Sequence, residues 1–285
     1  MDHATQRERA ASLLALHTAA GPLVLPNAWD AGSAVVFADA GFDAIGTTSA
    51  GIAAAQGVPD GEQLSREEML AVVERIAGAV DLPVTADIEA GYGDTPEEVF
   101  DTVAATVEAG AVGVNLEDGT GDPDRPLADV ADHVAVIRAA RDAADEADVP
   151  VVVNGRTDVF WLGVGEEADR LDHAVERANA YADAGADCLF VPGVTDTETI
   201  GALVDRLDAP LNVLGGPGAP PIATMADLGV ARVSVGSVPM RATLGLLREI
   251  AVELREEGTY EAMADGVPYG ELKELLAAAA ERRDG

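Results

Sequence analysis

The sequence is poor in basic residues and in aromatic side chains. Its 285 residues include 18 Lys and Arg against 51 Asp and Glu, and Lys273 is the only lysine. The formal charge of −33 opposes binding to nucleic acid and to anionic membrane surfaces. The acids are spread along helical segments, which favours a surface adapted to high salt, where repulsion between carboxylates is screened. An acidic face for a protein partner is the alternative.

Cysteine and long apolar runs are also scarce. Cys188 stands alone, so the chain has no intrachain disulfide and no cysteine-rich metal site. No segment has the composition of a secretory signal or a membrane span, and we expect a cytoplasmic protein. Lys273 lies far from any predicted strand end, which excludes a Schiff-base aldolase. A GxSxG elbow is missing, and His133 and His173 are expected on helix surfaces, which argues against a Ser-His-Asp hydrolase.

Eight short apolar runs alternate with alanine-rich amphipathic segments. The runs are PLVLPNA, DAIGTTS, PVTADIE, AVGVNLE, VPVVVNG, DCLFVPG, PLNVLGG and ARVSVG. Parallel strands buried on both faces read in this way, and eight βα units on roughly 250 residues predict a closed (β/α)8 barrel. We therefore expect one domain over residues 1–285, with an N-terminal helix and a C-terminal helical extension over about residues 256–285. An open doubly wound sheet is the structural alternative. A glycine-rich phosphate loop after the first run would favour it, and PNAWDAGSA contains none.

Acidic side chains follow two of the predicted strands. Asp87 and Glu89 lie two positions apart, so strand alternation directs both side chains to one side, and Glu117 ends the next strand. The strand ends of such a barrel form its active face. Three carboxylates there predict a Mg²⁺ or Mn²⁺ site, because these ions prefer oxygen ligands. The alternative is that each acid caps a helix or pairs with an arginine.

Arg156 directly follows the apolar run VPVVVNG. A guanidinium at this position can bind a carboxylate or phosphate through two parallel hydrogen bonds. A salt bridge to Asp158 or Glu117 is the structural alternative, and both can hold at once. Arg156 is therefore a candidate for binding substrate.

Other strand ends carry hydroxyl and amide groups. Ser49 is followed by Ala50 and Gly51, small residues that let backbone N–H groups approach an anion. Asn154 and Asn212 end two further strands. We expect these five residues to contribute to substrate binding.

Five motifs occur in a specific order along the chain. NAWDAGSA, TTSAGIAAAQGVPDG, ADIEAGYG, NLEDG and NGRTD fall at the predicted strand ends, within roughly residues 20 to 255. In this combination the chain resembles the isocitrate lyase/phosphoenolpyruvate mutase superfamily, in its methylisocitrate lyase/oxaloacetate decarboxylase-like branch. The resemblance implies a (β/α)8 barrel, dimers or tetramers that often exchange a helix, and a Mg²⁺ that chelates a small 2-oxo carboxylic acid.

The resemblance also implies roles for individual residues. Ser49 matches the carboxylate-binding loop, Arg156 matches the arginine that steadies the developing charge, and Tyr92 matches a tyrosine near the substrate. Arg156, Tyr92 and Glu117 are thus the expected catalytic group. The implied cation site consists of acids that act in part through coordinated water: Asp60, Asp87, Glu89 and Glu117.

One segment departs from the superfamily pattern. Isocitrate and methylisocitrate lyases carry a KKCGH-type gating loop after the fourth strand, whose cysteine delivers a proton. Here residues 117–130 read EDGTGDPDRPLADV, without Cys, Lys or His. The mutase and phosphonopyruvate hydrolase branches use Asn or Thr in a lysine-containing loop, for which Thr120 is the candidate.

The function expected from these features is a Mg²⁺-dependent carbon–carbon lyase. It would act on a small 2-oxo or 2-hydroxy acid through a pyruvate-like enolate, in the manner of oxaloacetate decarboxylase or methylisocitrate lyase. Phosphorus–carbon chemistry of the phosphoenolpyruvate mutase or phosphonopyruvate hydrolase type is one alternative. A barrel that binds an organic acid without turnover is the other.

Overall fold

The computed structural model describes the backbone of residues 1–284 and the side chains through residue 281. Its strands are β1 (Leu23–Leu25), β2 (Asn27–Ala28), β3 (Ile45–Thr47), β4 (Val84–Asp87), β5 (Gly113–Glu117), β6 (Val152–Arg156), β7 (Cys188–Phe190), β8 (Leu211–Leu214) and β9 (Arg232–Ser234). They form one parallel sheet with the order β1-β9-β8-β7-β6-β5-β4-β3-β2. The predicted (β/α)8 barrel is confirmed.

The first predicted strand is divided at Pro26. β1 pairs with β9, whereas β2 pairs with β3, so the two pieces together close the ring. Proline has no N–H for a sheet ladder, but its carbonyl still accepts the N–H of Gly46 at 2.9 Å. The nine strands therefore occupy eight positions in the barrel.

Helices connect the strands on the outside of the barrel. They are α1 (His3–Leu16), α2 (Ala31–Asp39), α3 (Ser49–Gln56), α4 (Arg66–Ala77), α5 (Pro96–Glu108), α6 (Val130–Glu146), α7 (Arg170–Asp183), α8 (Thr197–Arg206), α9 (Ile222–Asp227), α10 (Val238–Glu256) and α11 (Tyr269–Asp284). Short 3-10 turns cover Glu167–Asp169 and Glu261–Met263. Within residues 1–284, no helix is both long and apolar enough to cross a membrane.

The core lies between the strands and the surrounding helices. Val112, Val114 and Leu116 are fully buried and pack in one cluster with Val103 and Val107 of α5. Burial of such side chains contributes about 1.5–3 kcal/mol each to folding. The apolar faces predicted from helical periodicity thus hold the strand ends, and the polar residues on them, in fixed positions.

The C-terminal extension differs from the rest of the outer layer. α11 packs back on the barrel through Ala279, which contacts Val35 and Ala79. α10, in contrast, leaves Leu244 and Leu247 49% and 57% exposed. The extension expected over about residues 256–285 therefore docks on the barrel through α11, whereas α10, which precedes it, leaves an apolar face exposed.

Candidate active site

A cavity of about 130 Å³ opens at the carboxyl ends of the barrel strands. Parallel strands all end at this edge, so side chains at the strand ends meet there. The predicted site residues that line the cavity are Ser49, Ala50, Asp60, Asp87, Asn154 and Arg156. The others, Gly51, Glu89, Tyr92, Glu117 and Asn212, lie outside its lining.

Asp87 ends β4 and is held by its neighbours on three sides. One carboxylate oxygen accepts the backbone N–H and the hydroxyl of Ser49, both at 2.9 Å. The other accepts the side-chain N–H of Asn115 at 2.9 Å, and the N–H of Asp87 donates to Thr47 Oγ1 at 2.8 Å. The carboxylate is therefore oriented in the cavity before any ligand binds.

The backbone N–H groups that follow β3 bind different partners. The N–H of Ser49 is engaged with Asp87, and the N–H of Gly51 donates to Thr48 Oγ1 at 3.3 Å. Thr48 caps α3 in this way, because the first N–H groups of a helix lack partners within it. Of the three small residues predicted to bind an anion through the backbone, Gly51 is thus committed to the helix cap.

The strand alternation expected to direct Asp87 and Glu89 to one side stops at Asp87. β4 ends at Asp87, and Glu89 has φ = 53°, so strand alternation no longer applies. Its carboxylate accepts the hydroxyl of Tyr92 at 2.8 Å and the N–H of Glu62 at 2.6 Å. Tyr92 and Glu89 therefore secure the loop after α3 that carries Asp60, instead of touching the cavity themselves.

Arg156 lies between a half-buried acid, Glu117, and a buried one, Asp158. Its Nη1 is 2.5 Å from Glu117, and its Nε and Nη2 donate to the two oxygens of Asp158 at 2.6 and 3.0 Å. The guanidinium also lies 5.6 Å from the ring centroid of Phe190. A Cβ at Gly119 would come within 2.9 Å of Asp158, so the close packing needs glycine there. The structural alternative, a salt bridge to Asp158 or Glu117, is present with both acids, and Arg156 still lines the cavity.

Negative charge accumulates around this cavity. Burial, more than the nearby Asp87, raises the pKa of Asp60, and burial raises the pKa of Glu89 to about 7. The pKa of Glu117 is also raised, because its burial outweighs the attraction of Arg156. Within the described part of the chain, no three acids, His or Cys converge closely enough to ligate one ion directly. A cluster of three direct carboxylate ligands, as expected from the sequence, is therefore not formed.

Amide side chains extend from Asp87 across the barrel. Asn115 donates to Asp87, and Asn154 donates to Asn115 Oδ1 at 2.8 Å. Asn212 is fully buried and accepts the hydroxyl of Ser234 at 3.2 Å. Asn154 thus orients Asn115 and faces the cavity, whereas Asn212 supports its wall from behind.

Arg232 is a cavity residue that sequence reasoning missed. It lies on β9, is 3% exposed, and its Nε and Nη1 have no hydrogen-bond partner among the described residues. Burial lowers the pKa of its guanidinium, although Cys188 and Asp87 favour the charge. The sequence feature that could have indicated this position is a basic residue within the otherwise apolar run ARVSVG.

Asp118 is a second residue that the motifs did not single out. Its side chain is fully buried and accepts hydrogen bonds from Arg177 Nε at 2.8 Å, Tyr181 at 2.7 Å and the N–H of Asp158 at 2.8 Å. The same Arg177 donates to the carbonyl of Ala128. This network therefore connects α7 to both Asp158 and the loop after β5.

His133 is not on the helix surface as expected. It is 2% exposed, and its ring lies edge-on to Tyr181 with centroids 4.6 Å apart. Burial lowers its pKa to about 4. His133 therefore packs as a neutral core residue beside Asp118.

The short loop after β5 is closed on itself. Gly119 forms a bridge with Leu127, Thr120 N–H donates to the carbonyl of Pro126 at 3.1 Å, and the Thr120 hydroxyl donates to the carbonyl of Arg125. Thr120 does not line the cavity. Its hydroxyl serves the loop rather than the site.

Comparison with known proteins now gives the family. Residues 13–255 match the phosphoenolpyruvate phosphomutase family. The chain belongs to this family. It is an enzyme of the isocitrate lyase/phosphoenolpyruvate mutase superfamily, as its motifs predicted.

Relatives of this phosphoenolpyruvate phosphomutase family member span nearly its whole length. An uncharacterized protein of Mycobacterium tuberculosis is 39% identical over 92% of this chain and 94% of its own. The 2-methylisocitrate lyase of Escherichia coli is 30% identical over 87% of this chain and 85% of its own. The structure of a phosphonopyruvate hydrolase in complex with oxalate and Mg²⁺ superposes with a TM-score of 0.83 at 28% identity, covering 96% of each chain.

Proposed function

We propose that this family member is a Mg²⁺-dependent carbon–carbon lyase that acts on a small 2-oxo or 2-hydroxy carboxylic acid. The observation that carries the proposal is the fixed Asp87 carboxylate, which shares one cavity with Ala50 and Arg156. Asp87 is an oxygen ligand for a hard cation, Ala50 lies at a helix start, and Arg156 supplies a guanidinium. Together these groups can bind a carboxylic acid and stabilise the negative charge that develops on it during the reaction.

The donor set supports Mg²⁺, or Mn²⁺, as the cofactor. Burial raises the pKa values of Asp60, Glu89 and Glu117, which disfavours their charged forms, and a divalent cation nearby would favour those charged forms. Asp87 would bind the ion directly. Asp60, Glu89 and Glu117 would hold it through coordinated water. When bound, Mg²⁺ withdraws electron density from the carboxylate and the 2-oxo group of the substrate.

The chain's own residues would orient the substrate and stabilise its charge. Ala50, in the first turn of α3, would offer its own backbone N–H to the substrate carboxylate, because a helix N-terminus favours anions. Arg156 stabilises the oxygen on which negative charge develops when the bond at C3 breaks. Glu117 and Asp158 hold that guanidinium in place, and Asn154 keeps Asn115 aimed at Asp87. Tyr92 acts through Glu89.

The closed loop after β5 supports a decarboxylation or a similarly simple cleavage. It contains no Cys, Lys or His to protonate a departing carbanion. When CO₂ leaves, the electron pair of the broken bond moves to the 2-oxo oxygen, and the resulting enolate takes its proton from water. Oxaloacetate-type substrates are therefore the first candidates, because their cleavage needs no proton donor from this loop. Methylisocitrate-type substrates are the second.

Phosphorus–carbon chemistry is the second candidate, favoured by the family match and by the phosphonopyruvate hydrolase relative. A barrel that binds organic acids without turnover is the third. Purified protein in high salt with Mg²⁺ would be offered oxaloacetate, methylisocitrate, isocitrate and phosphonopyruvate, and pyruvate, glyoxylate and phosphate would be measured. Pyruvate without phosphate supports the lyase, and phosphate release supports the second candidate.

Controls make this panel decisive. Asp87→Asn keeps the shape of the side chain but removes its charge, and it should abolish turnover. Asp205→Asn changes an exposed acid of α8 and should not. No turnover of any substrate by the wild-type protein, with Mg²⁺ or Mn²⁺, refutes the catalytic proposal and leaves the binding barrel.

We also propose that the protein forms a homo-oligomer and works at high salt. The exposed leucines of α10 support a homodimer or homotetramer, because an apolar helix face of this kind is stabilised by burial against a second copy. The charge of −33 supports the proposal that the protein works in the cytoplasm of a cell with high internal salt. Light scattering in high salt would measure the subunit number, and a monomer would refute the assembly.

A further inference from the structure

Arg232 is a buried cation without a counter-charge from the protein. It is 3% exposed, and no carboxylate within residues 1–281 forms an ion pair with it. Asp87 favours its charge from another strand, but the oxygens of Asp87 accept hydrogen bonds from Ser49 and Asn115. A buried charge without a partner is costly. Binding of an anion would therefore stabilise this guanidinium.

The other ionisable groups near Arg232 do not supply the missing charge. Burial raises the pKa of the Cys188 thiol to about 12. Burial, together with the charge of Arg232, lowers the pKa of His17 to about 4. At neutral pH the thiol is protonated and the imidazole is uncharged, so neither group balances the guanidinium.

The cavity is the side from which a counter-charge can reach Arg232. Arg232 begins β9 and Ser234 ends it, and both line the cavity, so Arg232 lies at its deeper end. We call these two residues the floor of the cavity. Asn212, the register partner of Arg232, accepts the Ser234 hydroxyl at 3.2 Å. Its Nδ2, like Nε and Nη1 of Arg232, has no partner in the described part of the chain. The floor is therefore rich in unsatisfied N–H donors.

We propose that the floor of the cavity binds one small monovalent anion, which is chloride in a salt-rich cell. The site is distinct from the substrate-binding groups at Asp87 and Ala50, and it does not depend on the proposed reaction. A water-sized guest needs about 10–15 Å³, so a cavity of about 130 Å³ has room for the ion beside a small acid. A divalent anion such as sulfate would be repelled more strongly by Asp87.

Thermal melts at constant ionic strength measure this binding. Potassium chloride would be replaced stepwise by potassium methanesulfonate, whose anion is much larger. Above the dissociation constant, each tenfold increase in chloride should raise the melting temperature by about 3 °C, because the anion binds the folded protein alone. A melting temperature that depends on ionic strength and not on chloride overturns the site.

Substitution of the guanidinium ties the chloride effect to the floor. Arg232→Met removes the buried cation and should abolish the chloride-specific shift. In methanesulfonate this variant should melt no lower than the wild type, whose buried charge is then uncompensated. Arg75→Met is the matched control, because it removes an exposed arginine of α4, and it should keep the shift. A chloride shift retained in Arg232→Met overturns the assignment.

Crystals of the wild-type protein in bromide locate the ion without any variant. An anomalous peak in contact with the Arg232 guanidinium supports the proposal. Anomalous peaks confined to other places, with water at the floor, overturn it.

Titration of oxalate with Mg²⁺ distinguishes this anion from a carboxylate of the substrate. If both ligands bind at once, oxalate should bind at least as tightly in chloride as in methanesulfonate. An oxalate dissociation constant that rises in proportion to chloride, and no longer does so in Arg232→Met, overturns the proposal, because Arg232 would then hold the acid itself. Failure of oxalate to bind in either salt refutes the proposed function, and the melts still decide the anion site.

Discussion

Replacing Asp118 by alanine is expected to destabilise the fold strongly, although the residue does not line the cavity. Its side chain is fully buried and accepts hydrogen bonds from Arg177, Tyr181 and the N–H of Asp158. Although burial opposes its charge, Arg177 and the hydrogen bonds from Asp158 and Tyr181 lower the pKa of Asp118, so it is ionised in the folded protein. Removing it leaves the guanidinium of Arg177, 6% exposed, without its counter-charge.

The magnitude follows from the loss of a buried partner. Breaking one side of a buried ion pair costs about 3–5 kcal/mol, because the remaining charge is not compensated. Tyr181→Phe removes one hydrogen bond to a charged acceptor and should cost about 1.5–3 kcal/mol. The double variant should lose less than the sum of the two single losses, since the tyrosine hydroxyl has no carboxylate left to bind.

Urea unfolding at constant high salt measures these free energies, with the denaturant slope as a check that the unfolded state is unchanged. Asp205→Ala on the exposed face of α8 is the control for the loss of one negative charge. The reasoning is refuted if Asp118→Ala loses less than about 1 kcal/mol, below the range for a buried pair. Additive single losses would show that Tyr181 and Asp118 do not act as a unit.

Three further predictions concern charge. Burial raises the pKa of the Glu89 carboxyl to about 7, above its unfolded value of about 4.3. With a chelator present, the contribution of Glu89 to the free energy of unfolding is therefore lost as the pH rises from about 4.3 to about 7. Glu89→Gln should therefore gain stability relative to the wild type between pH 5 and 8 in thermal melts; a constant difference contradicts this. Arg156→Lys cannot reproduce the paired contacts to Asp158, and should weaken oxalate binding with Mg²⁺ about tenfold or more by calorimetry; an unchanged affinity refutes the role. With a charge of −33, the melting temperature should rise steeply with salt, and a melting temperature independent of salt would exclude the high-salt interpretation.

The fold could be predicted because its signals are local. Each apolar run is a strand, and the parallel barrel follows from their alternation with helices. The helix after GYG begins as its residues indicate: Thr95 accepts the N–H of Glu98, Glu98 accepts the N–H of Thr95, and Pro96 occupies the first turn. The division at Pro26 was not foreseen, because it depends on two different partner strands.

The site was predicted less completely because it depends on contacts across the chain. Asp87, Ser49 and Arg156 follow from their positions at strand ends. Glu89 did not, because a left-handed backbone turns it away from the strand pattern. Asp118 is bound by residues 59 and 63 positions later, which no spacing in one sequence reveals.

Calorimetric titration of oxalate, with and without Mg²⁺, tests the central claim most directly. Oxalate has the planar arrangement of oxygens of an enolate, and Asp87→Asn removes the charge that should hold the ion while keeping the side-chain shape. The account predicts that the wild-type protein binds oxalate only when Mg²⁺ is present, and that Asp87→Asn weakens this binding at least about a hundredfold, in line with loss of a charged oxygen ligand. Equal binding without Mg²⁺, or unchanged binding in Asp87→Asn, would contradict it.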